Sequence, residues 1–380
     1  MEHIPNLVSI FGWSSLTFGL TLFLTPFYLK LARKWKLGKK IRTKAMTGEK
    51  SKLFSLLHAK KSGTPTMGGV IMWLSVLAVI LLTRFLSLIG VMENSLLQRG
   101  QVYLPLFTLV AVGVLGLFDD WFNIREIGGV KGIKAKPKFI LLTLFGLLGA
   151  WWFYFKLGYD SIHIPGWTDI PIGLWYIPLF VLVIVATSNA VNITDGIDGL
   201  AGGLLILALT AFGVIAYSQQ LIFLSIFCGL MIGALMAFLW NNVPPALYYM
   251  GDTGSLAFGA TLGVIAMMTD ALIVLLIVGI LFIVETLSTI IQLTSKKFFK
   301  KKVFLIAPLH HHLEKKGWAE SKITTRFWIL GAIFGVIGLI VGVIGAGDNP
   351  PQPDELDNNA SAMVEQGDPS LIQGGAEEGN

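Results

Sequence analysis

Long apolar runs recur along almost the whole chain, and they constrain its fold more than any other feature. A helix of about 20 apolar residues spans the hydrocarbon core of a bilayer. The runs cover residues 10–30, 67–89, 101–118, 139–157, 173–191, 199–217, 221–240, 255–269, 271–293 and 327–346. The sequence therefore predicts an all-α integral membrane protein with about ten transmembrane helices.

The composition agrees with this prediction. Only 14% of the residues are charged, whereas soluble proteins carry about 25%. The single cysteine, Cys228, excludes an intramolecular disulfide. The net charge is +6, but the lysines and arginines are confined to a few loops that contain no base-stacking motif. No nucleic-acid partner is therefore expected. Met1–Gly12 holds no lysine or arginine, and a cleaved signal peptide is not expected either.

The basic residues predict the orientation of the helices. All but three of the 29 lysines and arginines lie in segments 30–61, 119–138 and 294–326. With ten spans these segments share one side, which the positive-inside rule makes cytoplasmic, so both termini are expected to be periplasmic. A transmembrane domain over residues 1–346 is then followed by an acidic tail, 347–380, whose composition predicts disorder.

Two adjacent carboxylates, Asp119 and Asp120, directly follow the third apolar run. A carboxylate at hydrocarbon depth is costly, and neighbouring carboxylates repel each other. The negative end of a helix dipole opposes them further. We therefore expect a positive group beside them, either a metal ion or lysines from neighbouring loops, and the pair is a candidate functional site.

A second polar array begins at the end of the fifth apolar run and continues beyond it. Asn189, Asn192, Asp195 and Asp198 recur every three residues, a spacing that places side chains on one face of a helical turn. They are therefore expected to converge on a common point. Asparagine and aspartate in such an array suit hydrogen bonding to a sugar or base, or coordination of magnesium.

Two glycine-containing loops precede helix starts. After Lys61, the segment Thr66-Met67-Gly68-Gly69 allows close backbone approach and is expected to leave N–H groups free for an anion. A flexible loop entering a helix is the alternative.

The second of these loops runs from Asn241 to Ser255 and includes Asn242. There, Gly251-Asp252-Thr253 can offer N–H groups to a phosphate while Asp252 holds a hard cation. Tyr249 can stack on a base.

Three consecutive histidines, His310, His311 and His312, precede Lys315 and Lys316. Consecutive residues converge on a zinc ion less well than spaced ones do. Phosphate contact or proton handling therefore suits this segment better.

In this order, the motifs resemble those of the polyprenyl-phosphate N-acetylhexosamine-1-phosphate transferases, and among them the phospho-N-acetylmuramoyl-pentapeptide transferases. The resemblance covers roughly residues 15–346, although the family often has phenylalanine where this chain has Tyr249. It rests on Pro65-Thr66-Met67-Gly68-Gly69, Asp119-Asp120, the segment from Asn189 to Gly199, the segment from Met250 to Ser255, and the segment from Pro308 to Trp318.

The resemblance implies a reaction, a cofactor and roles for residues. UDP-N-acetylmuramoyl-pentapeptide and undecaprenyl phosphate would give lipid I and UMP, with Mg²⁺ required, at the cytoplasmic side of the bacterial inner membrane. Asp252 would be the metal ligand, and Asp119, Asp120, Asp252 and His311 would be catalytic. A homodimer is implied as well. The residues implied in substrate binding are Lys61, Thr66, Asn189, Asn192, Asp195, Asp198, Asn242, Tyr249, His310 and His312.

Some alternatives stay open at this point. A sibling transferase would use UDP-N-acetylglucosamine with the same lipid, although such relatives usually carry a different histidine motif. A transporter would need ionisable residues within its spans, and Glu285 is the main candidate. The reaction could proceed by direct attack of the lipid phosphate or through an aspartyl-phosphate.

Overall fold

The described part of the chain is almost entirely helical. The computed structural model describes residues 3–38, 63–98, 100–125 and 135–345. One antiparallel hairpin, β1 (Ser161–His163) with β2 (Asp169–Pro171), interrupts the helices. The helices are α1 (His3–Lys34), α2 (Gly69–Leu88), α3 (Gly100–Arg125), α4 (Ala135–Phe155), α5 (Tyr176–Thr194), α6 (Leu200–Ser218), α7 (Ile222–Asn242), α8 (Gly251–Met268), α9 (Leu272–Val278), α10 (Ile280–Phe298), α11 (Leu309–Lys315) and α12 (Glu320–Ile344).

The predicted multi-span membrane architecture is confirmed. Among the described residues, 8 helices are long and apolar enough to cross a membrane, and the count is 9 if α9 and α10 form one bent span. Each of the ten predicted runs coincides with a helix or with this pair. Among the helices that coincide with predicted runs, α8 is not included in this count, because its first turn is polar. Lys61 and the acidic tail lie outside the described residues, and the orientation stays a prediction.

The α8 helix occupies the centre of the bundle. It packs against α3 and α5, and more lightly against α2. Every residue of α8 after Asp252 is buried. A helix that is apolar on all sides is expected to be enclosed by other helices. The Gly251-Asp252-Thr253 turn is thereby fixed in the middle of one end of the bundle.

The ninth predicted span, 271–293, is broken. Its two parts, α9 and α10, meet at Gly279 with a bend of 76°. The side of α10 that faces the protein carries polar residues at helical spacing, and its other side is apolar and exposed. The buried polar residues are Glu285, Ser288, Thr289 and Gln292. The exposed apolar residues are Leu287, Ile290, Ile291 and Leu293.

Two glycines let α1 and α7 approach closely. A Cβ atom on Gly233 would lie 2.2 Å from the Ser14 carbonyl oxygen, and one on Gly229 would lie 3.3 Å from that of Ile10. These glycines are four residues apart and therefore share one face of α7. Small residues at this spacing allow backbone-to-backbone packing between helices in membranes.

Gly233→Ala is expected to destabilise the protein, because the added methyl group would force α1 and α7 apart. Overpacking of this kind costs about 1–3 kcal/mol. The measurement is the thermal unfolding midpoint in detergent. Gly19→Ala on α1 is the matched control, because a Cβ at Gly19 meets nothing within 4 Å. Equal midpoints for the two variants would contradict the close approach.

Candidate active site

Three charged side chains meet where α3, α4 and α8 come together. The Lys138 ammonium donates to Asp119 Oδ2 at 3.0 Å and also to Asp252 Oδ2. Lys138 belongs to the basic segment 119–138, so it supplies the positive charge expected beside the aspartate pair. The sequence singled out the segment but not this lysine within it. The result is a compact group of two carboxylates and one cation.

The neighbouring carboxylate, Asp120, has a different set of partners. Its Oδ2 accepts hydrogen bonds from the Thr253 backbone N–H at 3.0 Å and from the Thr253 hydroxyl at 2.7 Å. Asp120 is only 6% exposed. A carboxylate at this position satisfies a free N–H of the first turn of α8 and interacts favourably with the positive end of its dipole. Asp120 thus fixes α8 against α3.

The surroundings of the pair differ from the expectation in one respect. The third predicted span ends at residue 118, whereas α3 continues to Arg125. The two aspartates therefore lie within the helix rather than at its end. The first turn of α8 and Lys138 provide the compensating positive charge at this depth.

The asparagine array converges only in part. The Asn192 amide donates to Asp252 Oδ1 and to Ser255 Oγ, both at 2.8 Å. The Asn189 amide instead donates to the Val185 carbonyl in the preceding turn, at 2.8 Å. Since α5 ends at Thr194, the three-residue spacing no longer describes a single helical face beyond that point. Asn192 orients Asp252.

The backbone N–H groups predicted to be free for an anion are occupied. Gly68 N–H donates to Tyr249 O and Gly69 N–H to Met250 O, both at 2.9 Å. The expectation of an open N–H cradle in the first loop was therefore wrong, because this loop pairs with the segment that leads into α8. Thr66 lies in this loop, but its own N–H donates to Leu37 O at 2.9 Å. It is 7% exposed, and its hydroxyl lies close to Gly251.

Asp198 and Asn242 connect two loops. Asp198 Oδ2 accepts from Ala246 N–H at 3.0 Å. Asn242 accepts from Gly199 N–H at 2.9 Å and donates to Tyr248 O at 2.8 Å. Both side chains are nearly inaccessible, at 3% and 2% exposure. In this structure they hold the loop after α5 against the loop after α7.

Tyr249 lies near the aspartates of the first of these loops. Burial raises the pKa of its hydroxyl, and Asp198 and Asp195 raise it further, against a hydrogen bond with Thr64. The side chain is therefore an uncharged hydroxyl at neutral pH. Tyr249 is 8% exposed, so its ring is largely covered in this structure.

The three histidines contact three different partners. His310 is fully buried and contacts Glu285. His311 Nδ1 lies 2.5 Å from Glu314 Oε2. His312 Nδ1 accepts from Leu305 N–H at 3.1 Å. Burial and then Lys316 lower the pKa of His312, so its ring is neutral at pH 7. Each histidine thus has its own hydrogen-bond partner, although the rings of His310 and His311 are in contact, with 4.2 Å between their centroids.

Asp119 and Asp252 fit a Mg²⁺ ion. Their oxygens already converge on a single cationic nitrogen, and carboxylate oxygens are the donors that Mg²⁺ prefers. No group of three or more Asp, Glu, His or Cys side chains within the described ranges could hold a metal. Mg²⁺ is usually bound by one or two carboxylates with substrate phosphates and water, which is compatible with this arrangement.

Glycines bring backbone to backbone around Asp252. A Cβ atom on Gly116 of α3 would lie 2.3 Å from the Asp252 carbonyl oxygen. One on Gly69 of α2 would lie 2.3 Å from the Gly254 nitrogen. Neither glycine offers a functional group, yet both determine where the first turn of α8 lies.

Comparison with known proteins places this site in a class. The sequence pattern of glycosyl transferase family 4 matches residues 102–270, which include Asp119, Asn192 and Asp252. The chain is therefore similar to this class of transferases over that range, and its fold is that of a multi-span membrane protein.

Relatives over nearly the whole chain narrow the class to one family. The chain is 38% identical over 362 residues to a phospho-N-acetylmuramoyl-pentapeptide-transferase of Chloroflexus aggregans, covering 92% of this chain and 93% of the relative. It is 40% identical over 323 residues to that of Clostridium botulinum, covering 85% and 93%. The chain belongs to the phospho-N-acetylmuramoyl-pentapeptide-transferase family.

Proposed function

We propose that this protein transfers phospho-N-acetylmuramoyl-pentapeptide from its UDP-linked form to undecaprenyl phosphate, giving lipid I and UMP in peptidoglycan biosynthesis. The observation that carries the proposal is the group of Asp119, Lys138 and Asp252 at one end of a membrane bundle, in a chain of this family. The names of the relatives favour this donor over UDP-N-acetylglucosamine.

The ionisation of the acceptor phosphate determines whether the reaction needs a strong general base. The second pKa of a phosphate monoester is near 6, so the lipid phosphate is largely ionised at pH 7. Positioning and charge neutralisation can then carry most of the phosphoryl transfer. An oxygen of the lipid phosphate forms a bond to the sugar-linked phosphorus, and the bond from that phosphorus to the UMP oxygen breaks. UMP leaves with the electron pair.

The residues of the site divide this work. Lys138 places a positive charge beside both reacting phosphates, and Asp119 orients the lipid phosphate and takes up its remaining proton. Asn192 holds Asp252 in place, and Asp120 anchors the turn that carries Asp252. When bound, Mg²⁺ held by Asp252 would neutralise charge on the donor diphosphate.

Direct attack and a covalent enzyme intermediate give different products with the donor alone. Direct attack releases no UMP without the lipid acceptor. A phosphorylated enzyme trapped from the nucleotide-sugar alone would refute direct attack, because only the covalent route forms such a species.

The function is tested by UMP release from the purified protein with Mg²⁺ and undecaprenyl phosphate. UDP-N-acetylmuramoyl-pentapeptide is expected to support turnover, and UDP-N-acetylglucosamine is not. Turnover with the second donor alone would replace the proposed function by that of the sibling transferase. Omitting Mg²⁺ is expected to abolish release, and full activity in the presence of a chelator would overturn the proposed metal requirement.

The proposed location is the bacterial inner membrane, with the site on the cytoplasmic side, and the proposed assembly is a homodimer. The basic segment 119–138 supports this side, because it joins the site-bearing ends of α3 and α4.

The orientation is tested by cysteine labelling. The native Cys228 is buried. A cysteine introduced at exposed Lys136 should therefore react with an impermeant maleimide in inside-out vesicles only. Labelling in right-side-out vesicles alone would reverse the orientation. Crosslinking in native membranes tests the dimer.

Gly116→Ala is expected to lower kcat/KM by about 100-fold, because the methyl group would displace the backbone of Asp252. A misplacement of about 1 Å at a reacting group can cost this much. The measurement is initial UMP release at several donor concentrations. Gly19→Ala again serves as the control. Wild-type kinetics in Gly116→Ala would show that the Asp252 backbone tolerates the shift.

A further inference from the structure

One buried carboxylate has no part in the mechanism above. Glu285 lies in α10 and is 0% exposed. Both of its oxygens contact a single residue: Oε1 accepts from the His310 backbone N–H at 3.1 Å, and Oε2 lies 2.9 Å from His310 Nδ1. A buried carboxylate is costly unless its partners compensate for the loss of water. Glu285 therefore ties α10 to the start of α11.

The contact with Glu285 determines which ring nitrogen of His310 carries a proton. Glu285 Oε1 accepts from the His310 backbone N–H and Oε2 faces Nδ1, so a proton on Nδ1 gives this oxygen a donor. In the neutral ring, Nε2 is then left with a lone pair. This nitrogen is buried and has no hydrogen-bond partner among the described residues. An N–H at the same place would be an unsatisfied buried donor, which native structures rarely contain.

The free nitrogen faces the loop that follows α5. A Cβ atom on Gly196 would lie 2.2 Å from His310 Nε2, so the ring edge rests directly against this glycine. Asp195 precedes Gly196 in the chain. The next histidine, His311, lies against the same ring, with 4.2 Å between ring centroids. His310 thus fills the space between the His311 side chain and the Asp195-Gly196 turn.

We propose that Glu285 is a positioning residue, which holds His310 in the Nδ1–H form so that its ring fixes His311 and the Asp195-Gly196 turn relative to each other. The proposal rests on the proposed function, because it assigns Glu285 to the same site. In Glu285→Gln the amide oxygen is needed to accept from the His310 backbone N–H, so the amide NH2 group faces Nδ1. The proton of His310 must then move to Nε2, against Gly196.

The first test is ¹⁵N solid-state NMR of histidine-labelled protein in proteoliposomes. The signals of His310 are identified by their loss in His310→Asn. In the wild type, Nδ1 is expected at the protonated position and Nε2 at the unprotonated position, and Glu285→Gln is expected to exchange them. A protonated Nε2 in the wild type would overturn the proposal. This readout is independent of activity, so it decides the proposal even if the proposed donor is not a substrate.

The second test is kinetic. In Glu285→Gln, kcat/KM for UMP release is expected to fall about tenfold or more, with a thermal midpoint close to that of the control. Thr289→Val is the matched control, because Thr289 is buried on the same helix and its hydroxyl donates to the Glu285 backbone carbonyl oxygen at 3.3 Å. Loss of activity in proportion to loss of thermal stability, equally in both variants, would reduce Glu285 to a structural residue.

Gly196→Ala tests the position of the His310 ring without changing Glu285. Its methyl group would displace the His310 ring from the other side, so a similar loss of kcat/KM is expected. If both changes act through the ring, their effects combine less than additively in the double variant. Full additivity would contradict the proposed path through His310.

Discussion

Asp252→Asn is expected to lower kcat by about 1,000-fold while the protein remains folded. The change removes the charge that Lys138 and Asn192 orient, but it keeps the size of the side chain. Removing one group that stabilises transition-state charge typically costs 100- to 1,000-fold, and Asp252 is also the proposed Mg²⁺ ligand. The measurement is UMP release at saturating donor, with Mg²⁺ varied.

The matched control for this change is Asp169→Asn in β2. Asp169 is an exposed carboxylate that contacts His163 rather than the site, so kcat within about twofold of the wild type is expected. If Asp252→Asn kept kcat within tenfold of the wild type, with unchanged Mg²⁺ dependence, Asp252 would be neither a metal ligand nor essential to the reaction.

Substitutions of the two adjacent aspartates are expected to affect different properties, activity for Asp119 and stability for Asp120. Asp119→Ala should lower kcat by at least about 100-fold with little change in stability, because Lys138 remains paired with Asp252. Asp120→Ala should lower the free energy of unfolding by about 0.5–2 kcal/mol, the usual cost of losing a helix-capping side chain. Thermal unfolding and UMP release, measured on both variants, separate the two roles.

Asparagine variants sharpen this comparison. The amide oxygen of Asp120→Asn can still accept from Thr253 N–H, so stability and most of the activity should return. Asp119→Asn should keep the loss of at least about 100-fold, because an uncharged amide no longer pairs its charge with Lys138 in orienting the lipid phosphate. The opposite order, with Asp119→Asn active and Asp120→Asn inactive, would exchange the proposed roles.

The positions of the spans followed from the sequence because lipid-facing helices must be apolar over about 20 residues. The break at Gly279 did not, since a single glycine is tolerated within a helix and the apolar run continues across it. The hairpin β1–β2 was also missed, because strands of three residues are too short to show a periodic pattern.

The candidate site was predictable in its residue types but not in its connections. Asp119 stood out because a carboxylate beside an apolar run is costly, and Asp252 because it lies in a glycine-containing loop at a helix start. Lys138 did not, because any lysine of its segment could have been the partner until the packing of α3, α4 and α8 was known. The pairing of Glu285 with His310, 25 residues apart, likewise depends on how α10 folds back on α11.

The glycines around Asp252 have a consequence for how this protein tolerates sequence change. Gly69 and Gly116 carry no chemistry, but backbone atoms of α8 occupy the space where any side chain would go. In a saturation mutagenesis scan of cells whose growth depends on this enzyme, substitutions at both positions should therefore be tolerated as poorly as substitutions of Asp252. By contrast, Gly12 and Gly19, where a Cβ meets nothing within 4 Å, should accept alanine. The positions required for function thus include glycines that act only by letting the backbone of α8 come close.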